Sequence, residues 1–207
     1  EIRPTPDTLW SVWEPNPLLA IGMLALAWLY LHGTARLWRR AGSGRGVRRW
    51  QVWAFAGAMA SIAIAAYSPL DALSGALFSA HMTQHLLVFL IAPLLLAISR
   101  PALPMLWALP PAWRRAAGRS LGRPAVTGVL RALNNWVVVL MLQAGVLWLW
   151  HVPSLYEAAL DSTLVHEIEH VTFAAISYLF WTRVLSTGHH GGIGHGVALL
   201  MVFATAL

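Results

Sequence analysis

Apolar runs of membrane-crossing length recur along this chain, and the connections between them alternate between arginine-rich and arginine-free. Crossing roughly 30 Å of hydrocarbon as a helix takes about 17–25 apolar residues, and lipid offers the backbone no other partner for its amides. Such runs fall at about 18–38, 50–67, 78–99, 134–152 and 164–185, with a shorter, incomplete one at about 195–207. Only 11% of the 207 residues are charged while 58% are apolar, which leaves too little polar surface to coat a water-soluble globule. The expected fold is all-α, a single polytopic transmembrane helix bundle over residues 1–207 with six spans visible and the last truncated. A first residue that is not Met and a last run too short to cross lead to the further expectation of at least one helix beyond these residues.

All 14 basic residues are arginine. Arg36, Arg39, Arg40, Arg45, Arg48 and Arg49 crowd the first connection, whereas the second, 68–77, holds Asp71 and no arginine. Arg100, Arg114, Arg115, Arg119, Arg123 and Arg131 mark the third, the fourth (151–163) has none, and Arg183 follows the fifth run. By the positive-inside rule, connections one, three and five face the cytoplasm, while the N-terminus and connections two and four face outward. The formal charge of +6 does not point to nucleic acid, because these arginines sit in short loops beside apolar runs with no nucleic-acid-binding motif. Anionic lipid head groups are their natural partners. With no cysteine, the chain has no disulfide, no iron–sulfur cluster and no thiolate nucleophile.

Between the runs, residues 4–17 with Trp10 and Trp13 read as an irregular aromatic lead-in at the outer interface, and 41–47 as a glycine-rich turn. The connection 100–131 has four prolines and then Trp113-Arg114-Arg115, a pattern that predicts a short amphipathic helix on the cytoplasmic surface. Pro93 lies inside the third run and predicts a kink. No soluble domain, internal repeat or phosphate-binding loop is visible.

With this topology, His81, His85, His151, His166 and His170 all fall at outward-facing helix ends. Residues four apart on a helix are only about 40° apart around its axis, so His81 with His85, and His166 with His170, each present two imidazoles on one face. Imidazoles near lipid are costly, and a duplicated pair at matched depth points to a metal. Met82 is close enough around the same helix to offer a thioether, and Glu167 and Glu169 flank the second pair as acceptors that would fix imidazole tautomers. Each has a blander reading: interfacial histidines snorkel, His151 at a helix exit caps carbonyls, and methionine is ordinary packing. His32, alone in the inner half of the first run, reads as structural or lipid-facing. His189, His190 and His195 have a His-rich composition on the cytoplasmic side, where a separate inner site is the functional alternative. Glu157 and Asp161 belong to the outer loop as caps or as a route of metal entry.

HMTQHLL at 81–87 followed by Ala92-Pro93-Leu94-Leu95, then WHVPSLY at 150–156, then HEIEH at 166–170 with Phe180-Trp181, resemble in order and spacing the CtaG family of polytopic cytochrome c oxidase assembly factors. The similarity covers about residues 18–207. It implies a seven-helix protein of the bacterial inner membrane that matures a haem–copper oxidase by handling copper. A periplasmic copper donor and an oxidase subunit are the implied partners. The family's motifs map onto His81, Met82, His85, His151, His166 and His170. Imidazole with an optional thioether suits copper, but imidazoles with carboxylates suit zinc equally well. Two rivals therefore stand beside the copper carrier, which has no catalytic residue. An intramembrane zinc hydrolase would use the same histidines, with Glu167, Glu169 or Asp161 as base, and a haem-binding protein would use histidines from separate helices as axial ligands. The two pairs either meet in one site or form separate ones across a homodimer interface.

Overall fold

The computed structural model describes residues 16–74, 77–187 and 192–206. Every regular element among the described residues is helical, in agreement with the all-α expectation. The aromatic lead-in with Trp10 and Trp13, and His189 with His190, lie outside them. Two compact units make up the chain, Glu1–Arg114 and Arg115–Leu207.

In the N-terminal unit, α1 (Pro17–Ala41) starts where Asn16 accepts hydrogen bonds from the amides of Leu18 and Leu19, with Pro17 in the first turn where its missing N–H costs nothing. Its buried stripe, Tyr30, Gly33, Thr34 and Leu37, follows helical spacing. The turn predicted at 41–47 is present, and Gly42, Gly44 and Gly46 all take positive φ there. Trp38 Nε1 pins this turn by donating to the Val47 carbonyl at 2.9 Å. Helix α2 (Arg49–Ala66) follows, then α3 (Pro69–Ser74), α4 (Phe78–His85), α5 (Ala92–Ser99) and α6 (Ala102–Ala108). Helix α1 packs on α6, and α2 on α5.

Tyr30, Leu37, Val47 and Phe55 form this unit's core. The Tyr30 ring stacks on Phe55 with centroids 3.9 Å apart, and its hydroxyl lies 3.3 Å from both the Gln51 and Ser99 carbonyls. Gln51 in turn donates to the Ile98 carbonyl at 3.1 Å. Tyr30→Phe keeps the stack and removes only the donor, so the expected cost is about 1 kcal/mol, read as a lower melting temperature in detergent.

Pro93 was expected to kink the third run. There the helix runs from Phe78 to Ser99, and a π-helical stretch, Leu86–Ile91, leads into the proline. The wider turn frees backbone groups, and the Ala92 amide and the Ser61 hydroxyl, at 3.1 Å, both donate to the Leu87 carbonyl.

The predicted amphipathic helix is α7 (Pro111–Leu121), which carries Arg114, Arg115 and Arg119. In the C-terminal unit, α8 (Pro124–Leu133) and α9 (Trp136–Trp150) meet at a bend of 73°. Asn135 makes the break by capping α9, its side chain accepting from the Val137 amide at 2.9 Å. Then come α10 (Pro153–Asp161), α11 (Thr163–Val184) and α12 (His195–Ala206). Helix α11 packs on α9 and α12, around a core of Val139, Phe180, Ile193, Ala198 and Met201.

Two helices, Pro17–Ala41 and Phe78–Ser99, are long and apolar enough to cross a membrane, and the bent α8–α9 pair makes a third if it is one span. The other expected runs are helical, but α2 opens on Arg49 and Gln51, α11 opens on HEIEH, and α12 has 12 residues. Helix α9, at 15 residues, is shorter than the run expected at 134–152, because Asn135 starts it late and Pro153 follows its end.

Candidate metal centre

Both histidine pairs take the form their spacing predicts. His81 and His85, on the last turns of α4, place their ring centroids 4.2 Å apart at 43°. His166 and His170, on the first turns of α11, do the same at 4.2 Å and 55°. All four rings are half-buried, and the Nε2 atoms of His85 and His170 are fully enclosed. Helical spacing thus sets the two rings of each pair side by side, within reach of one ion bound at the roughly 2.0–2.1 Å usual for imidazole nitrogens.

The surroundings hold each pair in place. Phe89, one turn after His85, meets its ring edge-on with centroids 4.6 Å apart. Gln84, beside His85, is buried and donates to the Asp71 carboxylate at 2.8 Å and the Ala65 carbonyl at 3.1 Å, which ties α4 to α3 and α2. The π-helical stretch begins at the residue after His85. In the other unit, Trp150 Nε1 donates to Thr172 Oγ1 at 2.9 Å and fixes the end of α9 beside the His-bearing turns of α11. These positioning residues were not singled out in the sequence, although Phe89 and Thr172 lie four and two residues after a histidine, which was the available signal.

His151 caps α9, with Nδ1 2.7 Å from the Leu147 carbonyl. A carbonyl only accepts, so Nδ1 carries the proton and Nε2 keeps the lone pair that a metal requires. His151 also lies within electrostatic range of Glu169, which is half-buried, whereas Glu167 is exposed. Met82 is 42% exposed, more open to the surroundings than either histidine of its pair. His32 stacks on Trp28 with centroids 4.8 Å apart, in keeping with the structural reading. His195 is exposed at the start of α12.

Among the described residues the chain is all-helical, with membrane-length apolar helices and two i, i+4 histidine pairs at helix ends, and these observations define a helical membrane protein. The family described as cytochrome c oxidase caa3 assembly factor (Caa3_CtaG) matches residues 28–207, and the chain belongs to that family. No curated protein and no solved structure matches it.

Proposed function

We propose that this protein is a multi-pass assembly factor of the bacterial inner membrane that binds copper at its outward face and passes it to a subunit of the haem–copper oxidase. Family membership supplies the oxidase and the assembly role. The observation that supports the copper reading is the duplicated i, i+4 histidine pair, with centroids at 4.2 Å in both. In this reading six helices, α11 and α12 among them, cross the bilayer in the orientation set by the arginines, and both pairs face the periplasm. Copper arrives there from a periplasmic donor as cargo. His81, His85, His166 and His170 receive it, His151 offers Nε2, and Met82 offers a thioether to the reduced ion. Imidazoles exchange readily at a helix end, so transfer to a docked oxidase subunit proceeds by ligand replacement with no covalent chemistry on this chain.

Elemental analysis of the purified membrane protein tests this directly. Copper is expected to bind in fixed stoichiometry, and bound zinc in its place, or a Soret band, would overturn the copper reading. His151→Ala is expected to keep that stoichiometry while weakening affinity about tenfold, measured by competition with a chelator. The modest effect follows from its being a single donor and not a member of a pair.

A further inference from the structure

The arginine-bearing end of the C-terminal unit gathers polar side chains around an open space. A cavity of about 550 Å3 there is lined by Arg131, Asn134, Trp136, Arg183, Gly194 and Val197, among others. Arg183, in the last turn of α11, is only 8% exposed. Its Nη1 donates to Asn134 Oδ1 at 2.8 Å, and its Nε is buried with no partner among the described residues. A guanidinium keeps its charge under all ordinary conditions, and a buried one is rarely left without an anion. Here its side-chain partner is a neutral amide.

The unit's own carboxylates do not supply the counter-charge. Glu157 and Asp161 lie on α10, and Glu167 and Glu169 on the first turns of α11. Roughly 20 Å of helix separates Glu169 from Arg183 at 1.5 Å per residue. Helix-end arginines do complement the dipoles of α8 and α11, but that role needs no burial and no cavity. Arg131, in the last turn of α8, adds a second guanidinium to the rim. Gly194 and Val197 bring the start of α12 to the same cavity, where unbonded helix amides favour negative charge.

We propose that Arg131, Asn134 and Arg183 hold a phosphate group in this cavity, supplied either by the head group of an anionic phospholipid or by a small soluble phosphate. Two guanidinium forks match the oxygens of a phosphate. Trp136 and Val197 give the cavity an apolar wall, which suits a phosphate joined to lipid at a membrane interface. The site does not depend on the copper reading.

The full chain in neutral detergent is titrated with phosphatidylglycerol, with phosphatidylcholine and with inorganic phosphate, and binding is followed by native mass spectrometry and calorimetry. One phosphatidylglycerol is expected to be retained about tenfold more tightly than phosphatidylcholine, and Arg183→Gln and Arg131→Ser are each expected to remove most of that preference. Arg183→Lys keeps the charge without the fork and is expected to be intermediate. Saturable binding of inorganic phosphate that both variants abolish, with no lipid preference, would keep the site and assign it to a soluble ligand. Should Arg183→Gln fail to fold, Arg131→Ser decides, because Arg131 is exposed and outside the core. Equal retention of the two lipids with no phosphate binding overturns the proposal, as does a phosphatidylglycerol preference that Arg131→Ser leaves unchanged.

Discussion

The double variant His85→Ala/His170→Ala is expected to lose bound copper and, in a cell that depends on this factor, to stop oxidase maturation. Each substitution leaves a single imidazole where two rings lay with centroids 4.2 Å apart, the pairing on which the proposed copper site rests. Disturbing a group that merely orients a metal ligand costs about 10–100-fold in affinity, so removing one ligand from each pair should cost more than that. The single variants separate two arrangements. If the pairs hold one ion together, within a protomer or across a homodimer, either single variant lowers affinity at an unchanged stoichiometry. If each pair holds its own ion, either one halves the stoichiometry and leaves the remaining site at full strength. His32→Ala is the control, because His32 stacks on Trp28 and belongs to neither pair, and copper binding should not change. Full copper loading and normal maturation in the double variant would remove the histidines from the mechanism and leave the family assignment standing.

How far the sequence carried the reading depends on whether a feature is local. The i, i+4 histidines are a local pattern, and helical geometry alone puts each pair on one face, so they were legible. The glycines at 42, 44 and 46 likewise announced a turn that needs positive φ. Pro93 announced a disturbance but not its form, because the π-helical stretch is completed by Ser61, which comes from α2. Helices α3 and α10 lie where loops were expected. Both open on a proline, Pro69 and Pro153, and proline in a first turn favours a helix instead of ending one. The bend between α8 and α9 depends on Asn135 as a cap, which an unbroken apolar run at 134–152 does not announce.

Least legible were the groups whose meaning is tertiary. Arg183 read as one more positive-inside marker, and its bond to Asn134 spans 49 residues of sequence. The cavity beside Arg183 draws its lining from α8, α9, α11 and α12, so no contiguous motif marks it in the sequence. Gln84 was overlooked between two histidines, yet it is the buried member of HMTQH and ties that turn to Asp71 and Ala65. The paired histidines stood out by type and spacing, and the residues that hold them in place became visible only with their partners.

Gly33 shows the same division in energetic form, and it carries the largest stability effect expected of a small substitution in this protein. Within α1, replacing glycine by alanine should by helix propensity alone stabilise by about 0.5–1 kcal/mol. Gly22 meets that expectation, since an added Cβ there has nothing within 4 Å. At Gly33 the added carbon would lie 1.7 Å from the Pro104 carbonyl oxygen, 2.6 Å from its carbon and 3.0 Å from the Ala108 amide nitrogen. These are backbone atoms of α6 and cannot rotate aside, so α1 and α6 must separate along the seam where small residues let helices approach. Separation disturbs Tyr30 and Leu37, one turn to either side in the core, and the Arg36 bond to the Ala108 carbonyl at 3.0 Å. Overpacking costs about 1–3 kcal/mol where side chains can yield, and here they cannot, so Gly33→Ala should cost about 3 kcal/mol or more. The two variants are therefore expected to move the melting temperature in opposite directions, up or unchanged for Gly22→Ala and down for Gly33→Ala. A rise for both would mean that α1 and α6 do not pack through Gly33, and the core built on Tyr30 would have to be redrawn.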